Sequence, residues 1–268
     1  MSDHLLREHA PISDAGWELI DAEARDRLQP GLAARRVVDF AGPLGWEHSA
    51  TNLGRIEPVD VSPLGLVEGR RRRVLALVEL RVPFAVSREE LRAGDRGAED
   101  VDFDDLDDAA QRMVVAENTA VFHGWSEAGI DGIVAISPHE AIPCGDQIER
   151  YPSHVARAVE TLLRNGVSGP YGLALGREEY TRVIETAEHG GYPLFDHLRK
   201  ILGGPIVWAP GVQGGVVLSM RGGDFLFECG QDLAVGYEAH DAEQVSLYLE
   251  QSFSFRVAGP EAAVAIAP

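Results

Sequence analysis

Cysteine is nearly absent from this chain: among 268 residues only Cys144 and Cys229 occur, far apart in sequence. That excludes a disulfide framework and a multi-cysteine metal site, and predicts a reducing compartment. Basic residues are also scarce. Twenty-four Lys and Arg face 43 Asp and Glu, and the net charge of −19 repels a phosphate backbone everywhere except at a locally basic patch. No stretch approaches the ~18 consecutive apolar residues of a membrane span, and the N-terminus lacks a basic region with an apolar run behind it. The expectation is a soluble cytoplasmic protein without nucleic-acid or membrane partners.

Catalytic signatures are missing as well. Neither G-x-x-x-x-G-K-[ST] nor G-x-S-x-G occurs, and Gly172-Leu173-Ala174-Leu175-Gly176 lacks the third glycine of a dinucleotide loop. The nine histidines include no pair at H-E-x-x-H spacing. Asp100, Asp102 and Asp104 imitate the opening of a calcium loop, but Asp105 stands where the sharp turn needs Gly and Gln111 where a bidentate Glu closes the shell. Gly222-Gly223-Asp224-Phe225 resembles the signature loop of diguanylate cyclases, yet Leu226 replaces the acidic residue that chemistry needs, so the segment reads as a hairpin turn. Cys144 and His139 offer a nucleophile and a base, but their five-residue separation across Pro143 fixes no geometry, and a free Cys is more often a small core residue. No catalytic residue, metal or cofactor is assigned.

What is present is a scaffold. Hydrophobic residues make up 45% of the chain, enough for a real core, and 29 glycines and 15 prolines without a period predict many turns and short elements of mixed α and β class. The organising stretch is Asp102 to Gly124. Phe103, Leu106, Ala109 or Ala110, Met113, Val114, Glu117, Ala120 and Val121 recur at helical spacing, and Asp104, Asp105, Asp107 and Asp108 crowd the first turn, where the unpaired N–H groups favour negative charge. This predicts a spine helix of roughly 30 Å.

Around the spine, Trp17, Ile20, Ala24 and Leu28 mark one face of an N-terminal helix capped by Ser13 or Asp14. Residues 51–84 read as a long hairpin turning at Ser62-Pro63-Leu64-Gly65, its second run continuous from Val74 to Phe84. The tip half carries Arg70 to Arg73 and too little apolar material to bury itself, which predicts a solvated or intersubunit face. A short helix begins at Ser87. From about residue 134 a second lobe follows, with helices around 155–163 and 178–187 and strands at 169–175, 205–208, 215–219 and 225–227. Leu233 to Tyr237 and Val245 to Phe255 alternate with period two and are predicted to share a sheet against the spine.

This order of parts resembles a tailed-phage major capsid protein, and specific residues resemble the first-family encapsulins, bacterial nanocompartment shell proteins of the linocin bacteriocin type. The carriers are Ala10-Pro11-Ile12 with Trp17, Gly31 to Asp39 with Gly42-Pro43-Leu44-Gly45-Trp46-Glu47, Leu80-Arg81-Val82-Pro83-Phe84, Gly169-Pro170-Tyr171, Arg221-Gly222-Gly223-Asp224-Phe225, and Gly230 to Tyr237. The resemblance implies an α+β capsid fold: an N-terminal helical arm and start of the peripheral domain (1–50), an extended loop overlapping a neighbour (51–80), the peripheral domain with its spine helix (81–133), an inserted axial α/β domain (134–220) and C-terminal peripheral strands (221–268).

It further implies a non-enzymatic subunit that self-assembles into an icosahedral shell around a cargo enzyme, a dye-decolorising peroxidase or ferritin-like protein, captured through that enzyme's C-terminal peptide. Arg35, Asp39, Leu233, Val235 and Tyr237 are the implied cargo-peptide site, with an Arg35–Asp39 helical pair as a compatible alternative. His189, Gly190, Gly191 and Tyr192 are the implied lining of a five-fold pore, where His189 would titrate near neutral pH. Some family shells hold a flavin on a tryptophan in the segment matching Ser87 to Leu91. Glu89 stands there, and flavin binding is not carried over. The rival readings are a secreted bacteriocin or protease, disfavoured by the absence of an assembled nucleophile and base, and a DNA-packaging phage-type capsid subunit, disfavoured by the charge.

Overall fold

A computed structural model describes residues 4–60, 65, 67–145, 148–187 and 191–268. The helices are α1 (Asp14–Leu28), α2 (Ala34–Val37), α3 (Arg88–Asp95), α4 (Asp104–Phe122), α5 (Ile133–Ile136), α6 (Tyr151–Arg164), α7 (Arg177–Glu185) and α8 (Leu194–Leu202). The strands are β1 (Asp39–Ala41), β2 (Ala50–Val59), β3 (Gly69–Ala76), β4 (Val78–Ser87), β5 (Ile142–Pro143), β6 (Tyr171–Leu175), β7 (Ile206–Trp208), β8 (Gly215–Ser219), β9 (Phe225–Cys229), β10 (Ala234–His240), β11 (Gln244–Val257) and β12 (Ala263–Ala267).

They form three sheets. The first is built on the 14-residue β11, with antiparallel β4 along one edge and antiparallel β10 and β9 in succession along the other, β1 closing beyond β9 in parallel. The second runs β5-β12-β8-β6-β7, and the third is β2 with β3 alone.

The spine α4 links two cores. Leu106, Ala109, Ala110, Met113 and Val114 pack with α1, Phe84, Val86 and the β10–β11 face. Ala120, Val121 and Phe122 instead join the larger core around the second sheet. Between them Glu117 and Asn118 are fully buried. Asn118 donates from Nδ2 to the carbonyls of Gly31 (2.8 Å) and Pro210 (3.0 Å), and its Oδ1 accepts from the Ala34 N–H. A buried amide so satisfied fixes the loops before α2 and after β7 against the helix. At the acidic start, the Asp102 carboxylate accepts from the Asp104 N–H at 3.0 Å, as the unpaired donors of a helix N-terminus require. Ser13 caps α1 in the same way through the Gly16 N–H.

Four sequence expectations change. The run from Val74 to Phe84 is two strands rather than one. It breaks at Leu77, whose N–H turns to the Ser49 carbonyl, so β3 stays with β2 while β4 enters the first sheet. The Gly222–Gly223 turn joins β8 of the second sheet to β9 of the first, and is no hairpin. The C-terminal end does not stay with the peripheral strands, because β12 pairs with β8 and β5 in the second sheet, where Ala263, Val264 and Ile266 are buried. Finally, the polar face of β11 is buried too. Glu250 meets His4 of the N-terminal segment, the Ser252 hydroxyl accepts the Gln231 N–H of the loop after β9, and Ser254 bonds Thr51, so the alternation records chemistry but not exposure.

Candidate functional site

An apolar groove of about 480 Å³ lies between α1 and the start of β10. Ala24 and Leu28 come from α1, Leu32 from the turn after it, and Leu233, Val235 and Leu249 from the first sheet. Arg7, Asp21, Arg25, Arg35 and Asp232 stand around this apolar floor. Arg7 donates to Asp21 at 2.7 Å and lies 4.0 Å from the centre of the Trp17 ring, which braces the rim.

At the inner end Arg35 is clamped on every side. Its Nε and Nη2 reach both Glu117 oxygens at 2.9–3.1 Å, Nη1 donates to Asp232 at 2.6 Å, and Nη2 also donates to Gln251. The rings of Phe40 and Phe227 lie 5.3 Å from the guanidinium. Burial pulls the Arg35 pKa down, but Glu117 and then Asp232 outweigh it, and the group is held above its ordinary value. For Glu117 burial wins: its pKa is raised although Arg35 pulls it back. Arg35 therefore fastens α2 to the spine and to β11, and the charge it leaves at the groove is that of the half-exposed Asp232.

The structure brings Arg35, Leu233 and Val235 into one groove, but not Asp39 or Tyr237. Asp39 sits on β1, where Oδ2 accepts the Gly223 N–H at 2.6 Å and holds the turn before β9. No Arg35–Asp39 pair forms, because the helix ends at Val37 and the i,i+4 geometry ends with it. Tyr237 lies farther along β10, with its N–H donating to the Leu5 carbonyl and its hydroxyl bonded to His240 Nδ1. Sequence reasoning missed Arg7, Asp21, Arg25 and Asp232. The signal for the clamp was visible: a Glu at 117 on the buried stripe of the spine demands a buried cation.

In the second lobe, Tyr192 stands before α8 with Lys200 Nζ 4.8 Å from its ring, beside an open cleft that Asp196, Arg199 and Pro205 also line. His189 and Gly190 lie outside the described residues, so the four-residue pore lining is represented by Gly191 and Tyr192. Cys144 and His139 do not form a nucleophile and base. The imidazole is bonded to the Glu261 carbonyl at 2.9 Å, and burial pushes the Cys144 thiol pKa up. Among the described residues no group of three His, Cys, Asp or Glu side chains is placed to hold a metal ion, and no helix is long and apolar enough to cross a membrane.

Residues 2–254 match the family model described as an encapsulating protein for peroxidase. The chain is 46% identical over 265 residues to the type 1 encapsulin shell protein of Rhodospirillum rubrum, covering 97% of this chain and 95% of that one. The Brevibacterium linens shell protein is 42% identical, with 98% of each chain covered. A virus-like particle from Pyrococcus furiosus shares the fold with a TM-score of 0.63 at 18% identity, covering 92% of this chain and 98% of that one. The capsid of an empty GTA particle does so at 0.51 and 14%, covering 88% and 90%. The first two likenesses run from the N-terminal arm through the spine to the last strands, and on them this chain belongs to the type 1 encapsulin shell proteins.

Proposed function

We propose that copies of this chain close into an icosahedral compartment and that the groove between α1 and β10 holds an extended C-terminal segment of an enclosed enzyme, a dye-decolorising peroxidase or ferritin-like protein. The observation that carries the cargo reading is the groove itself: an apolar floor of Leu28, Leu32, Leu233, Val235 and Leu249 with fixed charges at its rim. Apolar pockets for alternate side chains and a few anchored polar groups are what an extended peptide requires. Arg35 contributes by shaping the inner end rather than as a free cation, while Asp39 holds the turn before β9 and Tyr237 lies farther along β10, outside the groove. Gly191 and Tyr192 stay in this reading as the described part of a pore loop. The subunit itself acts as structure.

Co-expression with the cargo enzyme tests the groove. Leu32→Asp, at a half-buried position in the floor, is expected to leave particles intact and to lower co-purified cargo at least about tenfold, the cost of one desolvated charge in an apolar site. Unchanged loading would remove the groove from the account.

A further inference from the structure

The chain ahead of α1 is bent against its preference. Leu6 has a φ of 52°, and among the described residues no other non-glycine has a positive φ. That left-handed conformation is disfavoured for a leucine, and the side chain, 44% exposed, gains little packing to offset it. The bend is held from both sides. After it, Arg7 donates to Asp21 on α1 and lies over the Trp17 ring. Before it, the Leu5 carbonyl accepts the Tyr237 N–H of β10 at 2.8 Å, and His4 Nε2 stands 3.2 Å from Glu250 Oε1 on β11. The His4 ring also stacks on Trp46, with centres 4.6 Å apart.

The His4 anchor is the titratable one. Glu250 is 4% exposed, and neither its Oε1 nor His4 Nε2 has a hydrogen-bond partner elsewhere among the described residues. Arg81, directly opposite Glu250 on β4, lies over the Tyr248 ring, 3.3 Å from its centre. Glu79 adds a second carboxylate on the same face of β4. Of the other ionisable groups around the junction, His48 is bonded to Glu228 and His240 to Tyr237, while Glu8, His9, Glu47 and Glu238 are exposed. Burial, and then Glu79, raise the Glu250 pKa above its ordinary 4.5 against the pull of His4 and Arg81. What this carboxyl contributes to stability is therefore full below 4.5 and lost as pH rises through its folded value. Proton loss from an imidazole, the side chain that changes charge between about pH 5 and 8, acts in the same direction, because it leaves two carboxylates opposed by Arg81 alone.

We propose that residues 4–9 form a pH-sensitive strap on one wall of the groove, shut by protonated His4 on Glu250 and released by the strained bend at Leu6 when that proton is lost. Arg7 belongs to the strap and lines the groove, so opening removes a wall from an extended segment held there. The strap stands on its own geometry, and this consequence alone rests on the cargo reading.

Amide hydrogen exchange on the full-length chain, corrected for intrinsic pH dependence, reads the strap through the Tyr237 N–H. Its protection is expected to fall at least about tenfold between pH 6 and pH 8.5, the scale of one hydrogen bond to a charged group, while the amides of β6 keep theirs. His4→Phe keeps a ring for Trp46 but carries no proton, and should leave Tyr237 poorly protected at both pH values. His9→Gln should behave as the parent. Particles reassembled with the cargo enzyme should retain at least about threefold less of it at pH 8.5 than at pH 6, and little at either pH with His4→Phe. Equal protection at the two pH values, or a pH dependence that survives His4→Phe, overturns the strap and leaves the groove reading standing. A strap that opens while cargo retention stays high and constant overturns its control of the groove. Opening with no cargo retained at either pH overturns the groove reading and supports the strap.

Discussion

Two sheets of this molecule, made by the same chain, solve the problem of burial in opposite ways. In the second sheet every residue of β6 and β8 is buried, with Leu173, Leu175, Val217 and Leu218 packed between α6, α8 and the spine. In the arm, β2 and β3 expose most of their residues, on both faces. A sheet that buries almost no apolar side chain within its subunit gains little stability from that subunit. On the proposed reading the lobe is finished by folding and the arm by assembly, and substitutions in the two should separate those processes.

The largest effect is expected from deleting residues 62–70 at the arm's tip. The subunit should fold with a far-UV spectrum and melting temperature close to the parent, yet yield no closed particles by size-exclusion chromatography and electron microscopy. Normal shells from that variant would erase the contrast. Truncations inside the lobe act the other way. Leu173→Ala removes a fully buried side chain and is expected to cost about 2–5 kcal/mol in urea unfolding, whereas Ile56→Ala on the arm should change subunit stability by under about 0.5 kcal/mol. Similar costs at both positions would mean the arm is already packed within the subunit.

The clamp at the junction of the two cores sharpens the comparison further. Arg35→Met leaves Glu117 buried without its cation and should destabilise the subunit by about 3–5 kcal/mol near neutral pH. Glu117 already has a folded-state pKa raised above its ordinary 4.5, chiefly by burial. The folded form thus binds the proton more tightly, and stability from this group is present below 4.5 and lost as pH rises through the folded value. Removing Arg35 raises that value again, so the variant should regain stability on going from pH 8 towards 5, more steeply than the parent. Glu117→Gln in the same background should recover part of the loss. A flat pH profile would show that Glu117 is not the group left unpaired. The smallest effect concerns the thiols: burial, with Asp232 adding to it, holds the Cys229 pKa at about 12, and Cys144 is raised as well. Neither should react with a thiol reagent in the native state at pH 8, and both should react in denaturant.

Much of this was legible in the sequence because it is local or periodic. The stripe from Leu106 to Val121, the Ser13 cap and the missing core of the arm follow from spacing and composition. The break at Leu77 was not legible, since Val74 to Phe84 is uniformly strand-like and only the competition between β2 and β11 for partners divides it. The same holds for β12, whose apolar residues suit either sheet. In the groove, Leu233 and Val235 came from family resemblance, and the structure places them together with Arg35. The Arg35–Asp39 pair fails because α2 ends two residues before Asp39, a boundary that sequence periodicity does not resolve in a four-residue helix. Glu117 on the apolar stripe implies a buried cation beside it, but its identity, Arg35, lies 82 residues away and is set by the tertiary fold.

The central claim is that this chain completes its fold by closing a shell. Mass measurement of the purified full-length chain by size-exclusion chromatography with light scattering, with negative-stain imaging of the same fraction, tests it most directly. The account predicts a single population of closed, uniform particles of many subunits. A monomer or small dimer, stable at high concentration and low salt, would contradict it.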